Sequence, residues 1–220
     1  MFENVCVNVS NFQSSKDQIL NSSIDLSRKG SVDTLAFPIV EFLNSHPLFF
    51  TTSSCSGRFI LFGDYNETNP VLNKESSSEV LGDRKNRKEG CDWKHVSHDL
   101  VDVSSIKDII NQNTQSPLVL KFEPFIVHVQ AKTLEAAQKL LSCGVQSGFR
   151  ESGISFRQKS GKINKIIVAI RSTHGIEVPF RFDLVSSEFL GYIIEKVNGL
   201  MKENVLRIDR LLSELKKAFP

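Results

Sequence analysis

The sequence predicts an α+β fold: mixed sheet with packed helices, closed by one long C-terminal helix. Three observations predict it. Segments that alternate in polarity, such as Leu118–Gln130, are interleaved with segments whose apolar residues recur every three or four positions, such as Leu134–Leu141. The last stripe runs unbroken through Leu190, Ile194, Val197, Met201, Val205, Ile208, Leu212, Leu215 and Phe219, one face of a helix over residues 186–218. No G-x-G-x-x-G turn opens a helix after a first strand, so the fold is not expected to be of the Rossmann type.

The elements follow in chain order. Residues 1–24 are rich in Asn and Ser and are expected to be a poorly ordered start with at most a short helix around Phe12–Leu20. Residues 25–220 are then expected to form a single domain. A Ser31 N-cap with Asp33 in the first turn predicts a helix through Leu43, kinked or restarted at Pro38. Phe49–Thr52 and Arg58–Phe62 read as strands flanking a loop of small residues, Ser53–Gly57. Residues 63–92 lack apolar periodicity and read as a surface loop. Trp93–His98 predicts a strand, Ser104–Asn111 a helix capped by Ser104 or Ser105, and Leu118–Gln130 a strand interrupted at Pro124. A Thr133-capped helix ending before Gly148 precedes strands at Gly153–Arg157, Lys165–Ser172 and Ile176–Phe182.

Composition narrows the function. Of 220 residues, 40% are hydrophobic and 24% charged, enough for a substantial core. The longest apolar run, Ile166–Ile170, is far short of the roughly 18 residues a membrane helix needs. With no basic and apolar leader at the start, a cytoplasmic protein without membrane contacts is expected. The four cysteines show neither disulfide nor zinc spacing, so a reducing compartment and no metal are expected. The net charge of +2 announces no nucleic-acid binder by itself, but residues 150–181 hold seven basic side chains against Glu151 and Glu177.

Three constellations carry candidate chemistry. Thr51–Arg58, TTSSCSGR, offers Ser53, Ser54, Cys55, Gly57 and Arg58, either as an anion-binding loop or as an ordinary hairpin turn. Cys55 as a nucleophile would need a neighbouring base, and the sequence names none. In KFEPFIVHVQ, Lys121 and Glu123 form a surface ion pair or orient a polar ligand, while His128 is a core residue or a catalyst. The segments GFRESGI and AIRSTHGIEVP each set an arginine beside a serine, Arg150 near Ser152 and Arg171 next to Ser172, which suits a carboxylate or phosphate.

These segments, with DLSRKGSVD (Asp25–Asp33), Trp93 and VSH (Val96–His98), resemble the tRNA wybutosine-synthesizing protein 3 family in order and content. The resemblance covers about residues 25–215. It implies methyl transfer from S-adenosylmethionine to ring nitrogen N4 of a 4-demethylwyosine derivative at position 37, in the anticodon loop of tRNA-Phe. For such a reaction Arg58, Arg150 or Arg171 would bind the donor carboxylate or a phosphate. Glu123, His98 or His128 would accept the nitrogen's proton, and Phe149 or Trp93 would stack on the base. The rival expectation is a non-catalytic module that binds the anticodon loop in the same pathway, and a weaker one a small-molecule enzyme with a phosphate in the TTSSCSGR loop.

Overall fold

The computed structural model describes residues 9–21, 31–63, 92–113, 117–159 and 162–220. The elements in chain order are α1 (Val9–Leu20), α2 (Phe37–Ser45), β1 (Phe49–Gly63), β2 (Asp92–Ser97), α3 (Val103–Asn111), β3 (Leu118–Ala131), α4 (Leu134–Gln146), β4 (Gly153–Lys159), β5 (Lys162–Arg171), β6 (Ile176–Phe180) and α5 (Ser187–Ala218). The fold is α+β with the long C-terminal helix the sequence predicts. Nearly all of the loop expected at 63–92, and the turn that Ser160 and Gly161 predict between two strands, lie outside the described residues.

Two compact units divide the chain. The first takes the described residues up to Gly57 with Pro124–His174 and Lys202–Pro220; the second takes Arg58–Glu123 and Gly175–Met201. β1, β3 and α5 each contribute a stretch to both.

In the first unit the strand order is β1-β3-β5-β4. β5 runs antiparallel to both β3 and β4. β1 and β3 are antiparallel too, because Leu48, just before β1, accepts from the Lys132 N–H while Ser53 meets His128, so one number rises as the other falls. α4 lies on this sheet so closely that a Cβ on Gly144 would come within 3.0 Å of Ile170. The core gathers Phe49, Phe125, Leu140, Phe149, Ile166 and Val168 of β5, and Leu211 and Leu215 of α5. α1 adds Phe12, whose ring centroid is 5.2 Å from that of Phe50. In the second unit the order is β2-β1-β3-β6, and Phe59, Leu61, Leu120 and Phe122 pack with Ile106 of α3 and Ile194 of α5.

Several local expectations are corrected. The small-residue segment Ser53–Gly57 is no loop: it continues β1 through 15 residues, with Gly57 at φ 99° marking an irregularity inside the strand. Ser31 does not cap α2; that helix starts after Ala36 with Pro38 in its first turn, where the missing N–H costs nothing. Asp102 caps α3 by accepting from the Ser105 N–H at 3.0 Å, in place of Ser104 or Ser105. Pro124 does not interrupt β3, but the buried positions change parity there, from 118, 120 and 122 to 125, 127 and 129. On α5, Val205 and Leu212 are half-buried, and Asn204 and Leu211 are buried instead. Thr133 caps α4 and Gly148 takes the left-handed position after α4, as the sequence predicts; of the two serines at the start of the long helix, Ser186 rather than Ser187 accepts from the Phe189 N–H.

Candidate functional site

The second unit holds the Arg58 group. Arg58 lies in β1, flanking Phe59 and Gly57 of the same strand, and its guanidinium meets Glu123 of β3: Nε donates to Oε2 at 3.0 Å and a terminal nitrogen approaches the same oxygen at 2.9 Å. The guanidinium carbon stands 5.1 Å from the Trp93 ring centroid on β2. Lys121 reaches Glu177 of β6 at 2.8 Å and the other Glu123 oxygen at 3.6 Å. The hydrogen bond to Glu177 is the largest reason that the Lys121 ammonium is held above its ordinary pKa. About a third of each of the Arg58 and Glu123 side chains stays exposed, so the pair borders solvent and is worth little as a stabiliser. Its value is geometric: a planar guanidinium is fixed beside an indole by a carboxylate that both Arg58 and Lys121 engage. Four of the residues that the sequence singles out, Arg58, Trp93, Lys121 and Glu123, thus meet in one group. His98 follows β2 and is half-buried.

The first unit holds three further groups. On β1, Ser53 Oγ lies 3.0 Å from His128 Nδ1, and Thr52 donates to the His128 carbonyl at 3.3 Å. Burial, with Arg171 adding to it, pushes the His128 imidazole below its ordinary pKa, so it is neutral near neutral pH. Ser54 and Cys55, next along β1, are half-buried. Asp33 Oδ2 then accepts from the Ser56 N–H at 2.9 Å and from its hydroxyl at 3.2 Å, while the Ser56 carbonyl accepts from Asn204 Nδ2 at 2.8 Å.

The second group is the turn Phe149–Ser152, closed by Ser152 N–H to Phe149 O at 3.2 Å and by the Ser152 hydroxyl to the same oxygen at 2.6 Å. Ser152 Oγ also accepts from the Arg171 N–H at 3.1 Å, and Arg171 Nε donates to Glu151 O at 3.0 Å. Phe149 anchors the turn in the core against Phe125, so it offers no face to a base, contrary to the sequence expectation. Arg150 is exposed and has no hydrogen-bond or ion-pair partner among the described residues.

The third group joins Ser172 and His174 to Arg207 of α5. Ser172 Oγ lies 2.8 Å from His174 Nδ1, and Arg207 donates to Ser172 Oγ at 3.2 Å and meets His174 Nδ1 at 2.5 Å. Glu203 holds Arg207 from the helix at 3.1 Å and Arg210 at 3.0 Å, and these bonds, Arg210's first, hold its carboxyl below the usual range. The structure therefore brings Arg171 and Ser172 to separate partners, although they adjoin in sequence. Asp33, His174, Asn204 and Arg207 are not among the candidates that the sequence offers. For Asp33 and His174 a signal exists, inside the quoted segments; for Asn204 and Arg207, in a helix that reads by its apolar stripe, there is none.

Comparison with known proteins places the chain in a family. The family described as Methyltransferase TYW3 matches residues 14–217. The tRNA wybutosine-synthesizing protein 3 homolog of Xenopus laevis is 41% identical over 88% of this chain and 70% of its own length. The Homo sapiens homolog is 38% identical over 94% of this chain and 73% of its own. Among solved structures, the PH1069 protein from Pyrococcus horikoshii superposes with TM-score 0.73 at 30% identity, covering 94% of this chain and 97% of its own. The chain is thus a member of the TYW3 family, the methyltransferases of wybutosine synthesis on tRNA.

Proposed function

We propose that the chain transfers a methyl group from S-adenosylmethionine to ring nitrogen N4 of the wybutosine precursor, a 4-demethylwyosine derivative, at position 37 of tRNA-Phe. The observation that carries this reading is the Arg58 guanidinium held beside Trp93 by Glu123. A rigid cationic plane next to an indole suits a tricyclic base drawn out of the anticodon loop, since single-stranded bases are gripped by stacking.

The residues also fit the donor. S-adenosylmethionine supplies a methyl group on a sulfonium, and its transfer needs an aligned approach in a dry site. The hydroxyls of Ser53 and Ser54 present polar partners to it, and Arg150, which has no partner among the described residues, meets a carboxylate or a phosphate. In the transfer the N4 lone pair forms the new N–C bond, the C–S bond breaks with its electron pair going to sulfur, and the N4 proton leaves. Within the first unit His128 is the preferred acceptor, because its imidazole is neutral and Ser53 orients the ring through Nδ1. Within the second unit the candidate is His98. Glu123 is read as the carboxylate that sets Arg58, since both its oxygens are already engaged.

The test is calorimetry with S-adenosylmethionine on chelator-treated protein, followed by methyl transfer to tRNA-Phe carrying the precursor. Saturable donor binding without added metal is expected. Binding of tRNA with no donor binding would favour a module that presents the anticodon loop to another enzyme.

A further inference from the structure

Asn204 is the one buried polar side chain of α5 among the described residues, set in a face otherwise formed by Val197, Met201, Ile208 and Leu211. A carboxamide in such a stripe costs stability unless both ends are satisfied. Both are, and by main chain: Oδ1 accepts from the Phe125 N–H at 2.8 Å, and Nδ2 donates to the Ser56 carbonyl at 2.8 Å. These two peptide groups sit where the neighbouring strands are irregular. Ser56 precedes Gly57 at φ 99°, and Phe125 follows Pro124, which brings no N–H and coincides with the parity change of β3. Asn204 thus bridges the two strands with one donor and one acceptor, a pairing that neither a carboxylate nor an apolar side chain can supply.

The Ser56 residue is held on its other side as well. Asp33 takes its N–H and its hydroxyl through one carboxylate oxygen, so the residue is clamped at N–H, side chain and C=O. The direction of the next peptide, and with it the aim of the Ser53–Gly57 groups and the start of Arg58, follows from that clamp.

We propose that Asn204 is a positioning residue for methyl transfer, acting through the Ser56–Gly57 peptide and touching neither donor nor base. The inference rests on the reading of Ser53–Arg58 as part of the site. Its test compares Asn204→Leu with Leu140→Ala, a core truncation in the same unit, under conditions where the two melt alike. Since a misplacement of about 1 Å can cost about a hundredfold, Asn204→Leu should lower kcat roughly ten- to a hundredfold beyond Leu140→Ala, with KM for tRNA within about twofold. Amide hydrogen exchange at Gly57 and Arg58 should also be faster in Asn204→Leu than in Leu140→Ala, a readout independent of donor and substrate. If Asn204→Leu does not fold, Asn204→Asp, which keeps the acceptor and loses the donor, takes its place with the same expectation. Equal turnover and equal exchange in the two melting-matched variants would overturn the proposal. Arg58→Ala separates the two layers: if it lowers transfer by roughly ten- to a hundredfold while the Asn204 variant behaves as the core control does, the positioning role alone fails, and if it transfers normally, both the site reading and the positioning role fail.

Discussion

Arg58 in the second unit and Arg150 in the first carry the same guanidinium in opposite circumstances. Arg58 is committed: two contacts to Glu123 and the Trp93 ring fix its plane. Arg150 stands on a turn whose main chain is tied down by Ser152 and Phe149, yet its own side chain has no partner among the described residues. A fixed plane recognises shape, whereas an unengaged charge on a rigid base recognises an anion. On the proposed function the contrast gives them different tasks, the base to Arg58 and a carboxylate or phosphate to Arg150.

Substitution should break this contrast first at Arg58. Arg58→Ala should lower methyl transfer by roughly ten- to a hundredfold, corresponding to about 1.5 to 3 kcal/mol for a lost charge-assisted hydrogen bond. Arg58→Lys should fall nearly as far, because an ammonium cannot replace the planar fork. Single-turnover assays on both variants, with circular dichroism to confirm folding, decide this; a Lys variant with normal turnover would reduce Arg58 to a simple charge.

Next in size is the strand that delivers Arg58. Gly57→Ala places a Cβ on a residue at φ 99°, a region that costs L-residues about 1 to 3 kcal/mol. Urea denaturation should report a stability loss of that order. No loss would mean that the irregularity in β1 relaxes freely and does not set the aim of its neighbours.

At Arg150 a smaller effect is expected, and of another kind. If its anion is a tRNA phosphate, Arg150→Ala should reduce the slope of log affinity against log salt by about 0.7, one single-strand contact, while Arg150→Lys should leave it unchanged. If donor affinity falls and the salt slope does not move, the anion is the donor carboxylate instead.

The smallest effect is pH dependence through His128. Its pKa is lowered in the fold, so the unfolded chain takes up the proton first as pH falls. The associated stability is complete above the ordinary histidine value of about 6.5 and is lost progressively below it. A transfer that needs the neutral imidazole should keep its rate through that value and fall only at a lower pH, where the imidazole in the fold takes up its proton. His128→Gln should flatten both profiles, and an unchanged acid limb in the rate would hand the proton to His98.

How far the sequence foretells this depends on the range of each interaction. Periodicity is local, so the long helix, the Thr133 cap and the Gly148 stop are legible from neighbours in the chain. The TTSSCSGR segment reads as a loop because Ser, Cys and Gly favour turns. It stays in a strand because its Ser56 is held by Asp33 and Asn204, which lie 23 and 148 residues away. Asn204 escapes notice for the same reason, since its partners are main-chain groups whose approach no spacing records. Arg58, Trp93 and Glu123 all stand out in the sequence, yet that they form one group follows only from the pairing of β1 with β2 and its place beside β3. Phe149 shows the converse: an aromatic beside arginine suggests a stacking platform, and the core claims it.

The central claim is tested most directly by incubating the chain with S-adenosylmethionine labelled in its methyl group and with tRNA-Phe that carries the precursor. Mass spectrometry of the isolated nucleoside should then show one added labelled methyl on N4, at a rate that falls with Arg58→Ala. A nucleoside that stays unlabelled while donor and tRNA both bind, or a label on another atom, would contradict it.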